Sequence, residues 1–359
     1  MRVLTVNAGS SSLKLRLLGD ADELLASADL PALAGRAASD ELERAVAGMP
    51  NPGAVGHRVV HGGTRFRGPA RLDDEAVEAL RALTPLAPLH QPAALDAMAA
   101  VGALLPAVPA VACIDTAFHA GLPAAASTYA LPREWRERHA LRRYGFHGLS
   151  HAYVARRTAE LLGDGLRIVS CHLGAGASLA AIAGGRSVDT TMGFTPVEGL
   201  VMATRSGSVD PGMLLWLLQH GGVEVDELAD ALEHRSGLAA LAGTADMRAV
   251  LAGAAAGDED ATLARDAYVH RLRALIASMA AALGGLDALV FTGGVGERAS
   301  EIRTRTADGL RFLGVEIDPA RDAAAAQDAE VSAAGATVRT LVVEAREDLE
   351  MTRQVRACL

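Results

Sequence analysis

Apolar and polar positions follow one another along the chain in two patterns, short β-type runs and longer stretches with helical spacing. Residues 3–6 are an apolar run that meets a polar turn at 7–12, and residues 13–18 then alternate like a returning strand. Residues 167–171 and the turn 172–178 repeat this strand–turn–strand design about 160 residues later. Two hairpins of one design predict a duplicated domain.

A third glycine-rich turn, at 292–297, follows the apolar run 288–291 and leads into a helix-like stretch at 299–310. Residues 19–56 carry few strong signals and are predicted to be peripheral. Strands that alternate with helices indicate an α/β protein. The other predicted helices span 74–83, 93–104, 150–162, 211–219, 225–233 and 261–283.

The 359 residues are enough for two domains that each bury a core, and half of them are apolar. The net charge of −9 argues against a nucleic-acid partner, although local arginines still permit an anionic substrate. Cys113, Cys171 and Cys358 have no paired spacing and suit reduced thiols in a cytosolic protein. The first residues do not read as a signal peptide, and the apolar region 274–286 is shorter than the ~20 residues that span a bilayer. We therefore expect a cytoplasmic protein with no membrane partner.

Lysine occurs once in the chain, at Lys14, whereas arginine occurs 33 times. A single lysine in an arginine-rich chain can be chance. Lys14 follows a glycine-serine turn, however, where a compact ammonium differs from a planar guanidinium. A functional or close-packed role for Lys14 is the favoured interpretation.

The three glycine turns expose backbone N–H groups and hydroxyls, which can surround phosphate oxygens. None fits the P-loop pattern GxxxxGK[ST], which excludes that class of site. Residues 294–299 fit GxGxxG/A after a strand, but this match is weak by itself. A single turn is more often only a turn, whereas three at the ends of apolar runs favour nucleotide binding.

Arg58 and Arg205 lie in apolar, glycine-rich settings where burial is expected. A buried arginine needs an anionic partner, and a carboxylate or phosphate substrate would serve. Asp115 follows an apolar strand, where metal binding, positioning of a nucleophile and helix capping are all open. His147 and His172 are flanked by or close to glycines, which permits a ligand to approach but equally fits a structural role. No zinc-ligand spacing and no GxSxG motif occurs.

Six motifs together resemble the acetate kinases of the acetokinase family, and they follow the family order across nearly the whole chain. They are VNAGSSSLK at 6–14, HRVVHGG at 57–63, LAPLH at 86–90, DTAFH at 115–119, YGFHG at 144–148 and MGFTPVEG at 192–199. The resemblance implies an α/β fold of two duplicated ribonuclease-H-like (actin/hexokinase-type) domains, with the active site in the cleft between them. The implied domains are 1–149, completed by the helix 348–359, and a nucleotide-binding domain at 150–347.

The same resemblance implies roles for individual residues. Asp115, Arg58, Arg205 and His147 would be catalytic, with His147 and Arg205 stabilising the transition state, and His90 and His172 would line the cleft. Asn7 and Glu347 would hold Mg²⁺, with Mn²⁺ as an alternative. The implied substrate-binding residues are Arg58, Val60, Leu89, Phe146 and Pro196. The implied ATP-binding residues are Ser10, Ser12, Lys14, His172, Gly174, Gly176, Asp246, Arg248, Gly293, Gly294 and Gly296.

The implied reaction is reversible, in-line phosphoryl transfer, ATP + acetate = ADP + acetyl phosphate, by a cytoplasmic homodimer that serves acetyl-CoA synthesis. A propionate or other short-chain fatty acid kinase is the first alternative. A non-catalytic ATP-dependent binding module of the same fold is the second, and it has no need for Arg58 and Arg205. Ala175 and Arg298 each replace the family's usual Asn, which leaves the phosphoryl donor open.

Overall fold

The computed structural model describes residues 1–9, 12–33, 35–88 and 90–359, with only the backbone at 35–37. Ser10 and Leu89, two of the predicted binding residues, lie outside the described residues. The chain divides into two compact units. The first is Met1–Gly121 with Phe146–Tyr153 and Arg346–Leu359, and the second is Leu122–Gly145 with Val154–Ala345. Relative to the predicted domains, residues 122–145 belong to the second unit.

Twelve strands in the described residues form two sheets of six strands each. In chain order they are β1 Val3–Ala8, β2 Ser12–Leu18, β3 Leu24–Pro31, β4 Ala54–Val59, β5 Ala70–Arg71, β6 Ala110–Ile114, β7 Arg167–Leu173, β8 Ala177–Ala183, β9 Arg186–Thr190, β10 Ala288–Thr292, β11 Ala329–Glu330 and β12 Arg339–Val342.

Fifteen α-helices accompany the sheets in the same residues. They are α1 Gly35–Ala47, α2 Asp74–Arg81, α3 Gln91–Leu104, α4 Ala124–Ser127, α5 Arg133–Arg138, α6 Gly148–Leu162, α7 Pro211–His220, α8 Val225–His234, α9 Gly237–Ala242, α10 Met247–Ala255, α11 Glu259–Ala282, α12 Gly293–Arg298, α13 Ser300–Asp308, α14 Pro319–Ala323 and α15 Glu347–Cys358. Short 3₁₀ turns occupy Thr84–Leu86, Ala117–His119 and Arg311–Leu313. Every helix predicted from the sequence is confirmed to within two residues at each end.

The two sheets have one topology. The first has the order β3-β2-β1-β4-β6-β5 and the second β9-β8-β7-β10-β12-β11. In each, the first three strands form an antiparallel meander, two parallel strands follow, and a short antiparallel strand closes the far edge. The duplicated domain predicted from the two hairpins is confirmed by this correspondence.

The first sheet is covered on both faces. One face of β1, β2 and β4 packs with α1 and α3 in a cluster that includes Leu4, Leu15, Leu42 and Val101. The other face packs against α15, where Gly56 is essential because a Cβ there would lie 2.7 Å from Val355. Coverage on both faces explains why every residue of β4 except Arg58 is buried.

Two details differ from the sequence predictions. Residues 19–56 are not all peripheral, because they contain β3, α1 and the start of β4, whose Ala54 and Val55 are buried. The third turn is the helix α12, which starts directly after β10. Gly293 makes this possible, since its φ of +79° and its close approach to the backbone of Leu173 both exclude a side chain.

The stretch Gly237–Ala255 is, within the described part of the chain, the one segment long and apolar enough for a membrane-spanning helix, with a mean hydropathy of 1.2. It is not one helix in the structure. The left-handed Gly243 ends α9 after 6 residues, and α10 has 9 residues. At 1.5 Å per residue neither helix reaches the ~30 Å of a bilayer core.

Candidate active site

Three polar side chains of the first unit meet at one edge of its sheet. Asn7 is near the end of β1, Arg58 is in β4 and Asp115 follows β6, and these are neighbouring parallel strands. Arg58 donates to Oδ2 of Asp115 from Nε at 3.0 Å and from Nη2 at 2.6 Å, and from Nη1 to Oδ1 of Asn7 at 3.2 Å. The guanidinium is therefore fixed where the carboxyl ends of the strands converge, the usual place for a site in such a sheet.

Glu347, the first residue of α15, adds a second carboxylate to this group. Its Oε2 lies 3.9 Å from Nε of Arg58, and the side chains of Arg58, Asp115 and Glu347 are 19%, 1% and 16% exposed. Burial raises the pKa of Asp115; Arg58 lowers it and Glu347 raises it, with a net upward shift. Burial disfavours the charged form of Arg58, but the two carboxylates outweigh this and raise its pKa, so Arg58 stays protonated.

The oxygens around Arg58 fit a magnesium ion better than a transition metal. Oδ1 of Asp115 is buried and accepts no hydrogen bond from the described residues, although the Leu149 amide also favours ionisation of this carboxyl. No group of three or more His, Cys, Asp or Glu placed to hold a metal occurs within the described ranges. Two carboxylates and one amide nevertheless suit Mg²⁺, which keeps several waters and takes few protein ligands.

His147 is placed by an unusual backbone. Its φ is +55°, and the next residue, Gly148, donates from its amide to the carbonyl of Asp115 at 3.0 Å. A Cβ on Gly148 would lie 1.9 Å from that carbonyl oxygen, so only glycine allows this contact. The preceding Phe146 is buried, with its carbonyl 3.1 Å from Nε2 of His119. The YGFHG motif thus carries His147 and Phe146 to the loop that follows β6.

The remaining predictions for this unit fall near the first hairpin or on neighbouring loops. Ser12 starts β2 and accepts from the Gly9 amide at 2.8 Å, and Lys14 is exposed and pairs in register with Asn7. Val60 is buried directly after β4. His90 occupies the N-cap position of α3.

In the second unit, a pocket of about 310 Å³ collects four predicted ATP residues: Gly174, Asp246, Arg248 and Gly294. The two unusual residues Ala175 and Arg298 line the same pocket. Sequence reasoning missed the remaining, mostly apolar lining, which has no local signal because helix and loop residues of this kind read as ordinary core. It consists of Ala203, Leu238, Ala245, Met247, Leu251, Tyr268, Val295 and Ala299.

Other predicted glycines serve the pocket from behind. Gly293 and Gly296 do not line it. Gly293 lets α12 approach β7, since a Cβ there would lie 2.9 Å from the carbonyl oxygen of Leu173, whereas a Cβ on Gly296 would make ordinary contacts at 3.5 Å or more. Gly176 accepts from the Gly174 amide at 3.0 Å and closes the second hairpin. His172 precedes this hairpin and pairs in register with Ser178 and Thr292.

Asp246 and Arg248 form one exposed unit at the start of α10. Asp246 caps the helix by accepting from the Arg248 amide at 2.9 Å, and its carboxylate also accepts from Nη2 of Arg248 at 2.7 Å. The hydrogen bonds from Arg248 lower the pKa of Asp246. Both side chains thus stand at the solvent edge of the pocket.

Helix α12 is held by two side chains that the sequence did not single out. Oε1 of Glu297 accepts from the amides of Gly293 at 3.0 Å and Ala345 at 2.9 Å. The buried Arg303 donates from Nη1 to the carbonyls of Gly296 and Glu297, both at 2.8 Å, and from Nε to Asp322 at 2.6 Å. The geometry of the glycine-rich helix is therefore set by these hydrogen bonds.

Arg205 and Pro196 belong to a long loop of the second unit. Nη1 of Arg205 lies 3.5 Å from the carbonyl of Pro196, and the side chain is half-buried. Burial lowers the pKa of Arg205, and Glu233 acts against this shift. A half-buried guanidinium of this kind is suited to an anionic ligand.

Comparison with solved structures places the duplicated sheets in a known class. A ROK hexokinase from Thermus thermophilus, 14% identical, aligns over 99% of this chain and 98% of its own with a TM-score of 0.50, which shows the fold alone. The chain is thus an α/β protein of the actin/hexokinase type.

Closer relatives define the family. The profile of the acetokinase family matches residues 36–353. An acetate kinase of Microcystis aeruginosa is 44% identical over 98% of this chain and 89% of its own length, and one of Shouchella clausii is 39% identical over 98% of both. The structures of an acetate kinase from Porphyromonas gingivalis and a propionate kinase from Francisella tularensis both have TM-scores of 0.92, at 34% and 32% identity, and cover 99% and 100% of both chains. The chain belongs to the acetokinase family and is a phosphotransferase with a carboxyl group as acceptor.

Proposed function

We propose that this chain transfers the γ-phosphoryl group of ATP to acetate, reversibly, giving ADP and acetyl phosphate. The observation that carries the proposal is Arg58, a protonated guanidinium held between Asn7 and Asp115 at the carboxyl edge of the first sheet. Relatives named acetate kinase, at 39% to 48% identity, support the choice of substrate. A non-catalytic binding module has no transferring phosphoryl group whose charge such a guanidinium would stabilise.

In phosphoryl transfer the protein positions the substrates and stabilises negative charge, and it needs no covalent intermediate. An oxygen of the acetate anion attacks the γ-phosphorus, a new C–O–P bond forms, and the bond to the bridging oxygen breaks as ADP leaves. No proton has to move. Arg58, His147 and Arg205 are proposed to face the equatorial oxygens of the transferring group, where negative charge must be stabilised.

Asp115 acts in this mechanism through Arg58. Its Oδ2 receives two hydrogen bonds from the guanidinium and so orients it, while its free Oδ1 points to an additional ligand. Asn7, Asp115 and Glu347 would hold Mg²⁺, which when bound neutralises phosphate charge.

The nucleotide is assigned to the pocket of the second unit. Gly174 and Gly294 supply backbone at its wall, and Asp246 and Arg248 stand at its rim. Ala175 provides no side-chain amide there, and Arg298 adds a cation. These two residues favour tests with several phosphoryl donors, including pyrophosphate.

Acetate is the proposed acid, with propionate as the second candidate because of the propionate kinase neighbour. Val60, Leu89, Phe146 and Pro196 are proposed to surround the methyl group. A single methylene changes the binding free energy by only ~1–3 kcal/mol, so the two acids must be compared directly.

A hydroxamate assay for acyl phosphate tests the function. Acetate, propionate and butyrate are each offered with ATP and Mg²⁺, and we expect the highest kcat/KM with acetate. Arg205→Ala should abolish most of the product while the protein stays folded. Absence of acyl phosphate with every acid and donor would refute the proposal.

We further propose a homodimer that uses α7. No residue of this helix is buried, and Met213, Leu215, Trp216 and Leu218 are exposed, Trp216 by 57%. Several large apolar side chains exposed along one helix are suited to an interaction surface. Trp216→Glu should convert a dimer to a monomer in light scattering, whereas Trp135→Glu, at an exposed tryptophan of α5, should not. A parent that is already monomeric would remove this proposal.

The proposed compartment is the cytoplasm, where the free thiols of Cys113, Cys171 and Cys358 stay reduced. Acetyl phosphate made there would be an activated acyl donor for acetyl-CoA synthesis.

A further inference from the structure

The segment between β9 and α7 is a long loop that carries two residues of the proposed site. No helix or strand lies between Thr190 and Pro211, yet this loop carries both Pro196 and Arg205. Loops longer than ~12–15 residues without secondary structure are uncommon and usually functional. Such a loop has no regular ladder of backbone hydrogen bonds but only single ones, such as that from the Thr191 amide to the Leu179 carbonyl at 3.1 Å. Side chains therefore contribute to its shape.

Arg143 holds the first part of the loop. Its Nη1 donates to the carbonyls of Thr191 and Met192, both at 3.1 Å, and its Nη2 donates to Oε1 of Glu198 at 2.7 Å. One guanidinium therefore joins the two ends of the segment 191–198. The bond to Glu198 is charge-assisted, which makes it stronger than a neutral pair.

Tyr129 also binds this segment, and Tyr129, Arg143 and Glu198 are together called the frame. Its hydroxyl donates to Oε2 of Glu198 at 2.6 Å and accepts from the Phe194 amide at 2.9 Å. A Cβ on Gly193 would lie 1.8 Å from Oε2 of Glu198 and 2.1 Å from the Tyr129 hydroxyl oxygen. The glycine of the MGFTPVEG motif thus makes room for this bond. Burial and the bond to Glu198 raise the pKa of Tyr129, so the phenol remains a donor at neutral pH.

We propose that Tyr129, Arg143 and Glu198 are positioning residues that fix the 191–199 segment and thereby set the acid-binding geometry of Pro196 and Arg205. The inference rests on the proposed function, because it gives these two residues their substrate. Tyr129 and Arg143 hydrogen-bond to the segment and Glu198 is part of it, so all three act through its shape. A segment fixed in advance binds a small ligand without the cost of ordering, and this is how preorganised sites gain affinity.

Tyr129→Phe is the sharpest test, because it removes one oxygen and keeps the ring. Loss of the hydroxyl takes the acceptor from the Phe194 amide and a donor from Glu198. We expect the KM for acetate to rise about tenfold and the propionate-to-acetate ratio of kcat/KM to change, with the KM for ATP unchanged. Glu198→Gln, which breaks the link between Tyr129 and Arg143, should act in the same direction.

Tyr144→Phe is the matched control. Its hydroxyl donates to the carbonyl of Ala140 at 2.9 Å, outside the loop, so the same chemical change should leave the acid KM at the parent value. An unchanged acid KM in Tyr129→Phe, or an equal rise in the KM for acid and for ATP, would overturn the proposal.

Hydrogen exchange separates this inference from the proposed function. Peptides that cover 191–199 should exchange faster in Tyr129→Phe than in the parent and in Tyr144→Phe, with no substrate present. A parent without kinase activity but with this exchange difference would refute the function and retain the frame. Equal exchange in all three proteins would refute the frame, whatever the activity.

Discussion

At the residue scale, the two proposed catalytic arginines are held in different ways. Arg58 donates hydrogen bonds to Asp115 and Asn7, and the nearby carboxylates raise its pKa, whereas burial lowers the pKa of Arg205. Asp115 is 1% exposed, so Arg58 is the counter-charge of a buried carboxylate. The same charge that would stabilise a phosphoryl group therefore also supports the fold.

This difference predicts unequal costs of removing the two arginines. Arg58→Ala should lower the free energy of unfolding by about 3–5 kcal/mol, because it leaves Asp115 buried without a partner, and Arg205→Ala should cost far less. Both should lower kcat by roughly 10²-fold or more at equal folded fraction. Urea unfolding of Arg58→Ala, Asp115→Ala and the double variant measures the coupling. Strict additivity in that cycle would contradict a mutual dependence of the two residues.

Sequence reasoning could single out Arg58 and Arg205 because glycines and apolar residues surround them in the chain. It could not single out Tyr129, Glu198 or Arg303. Tyr129 and Glu198 are 69 residues apart, and Arg303 meets Asp322 from a different helix, so only the folded chain brings the partners together. Glu198 lies in the MGFTPVEG motif but carries no role there, and neither the spacing nor the immediate neighbours of Tyr129 and Arg303 distinguish these two from surface residues.

At the element scale, hairpins and long helices were predictable because their signal is local. Alternation of apolar and polar residues predicts a strand, and apolar residues three or four positions apart predict a helix such as α11. Helix α12 was not predictable in the same way, since four of its residues are Gly, Gly, Val and Gly, which have low helix propensity. Its helical form is stabilised by Glu297 within the helix and by Arg303 from the next helix.

The hydrogen bonds from Arg303 to α12 are called the clamp. Loss of the clamp should weaken nucleotide binding without changing acid binding. Arg303→Lys keeps the charge but cannot hold two carbonyls and Asp322 at once. We expect the Kd for ADP to rise about tenfold with an unchanged KM for acetate, measured by calorimetry and by the hydroxamate assay. Arg305→Lys, at a half-exposed pair with Glu301 on the same helix, should bind ADP as the parent does. Equal ADP affinity in all three proteins would show that α12 keeps its shape without the clamp.

At the scale of the whole molecule, duplication is much clearer in topology than in sequence. The two sheets correspond strand by strand, while the two hairpins share little beyond glycine and serine. The units have nevertheless diverged in their buried polar groups. Three buried histidines of the first unit, His57, His61 and His119, have pKa values lowered to about 4 by burial.

These histidines make the first unit sensitive to acid. In the unfolded chain a histidine has a pKa near 6.5, so between pH 6.5 and 4 the unfolded state binds protons that the folded state does not. Their stabilising contribution is complete above pH 6.5 and is lost as the pH falls toward 4, by up to about 1.4 kcal/mol per pH unit for each histidine. The raised pKa of Asp115 acts in the opposite direction, but it is one group against three.

The chain offers a direct readout of which unit responds, because both tryptophans, Trp135 and Trp216, lie in the second unit. Tryptophan fluorescence therefore follows the second unit, whereas far-ultraviolet circular dichroism follows both. As the pH is lowered from 7 to 4.5, we expect the urea midpoint by circular dichroism to fall before the fluorescence midpoint. His57→Gln should reduce the slope of the unfolding free energy against pH by about one third, because it removes one of the three histidines. His139→Gln, at an exposed position of the second unit, should leave this slope unchanged. Coincident midpoints at every pH, or a fluorescence transition that moves first, would place the acid-sensitive groups elsewhere.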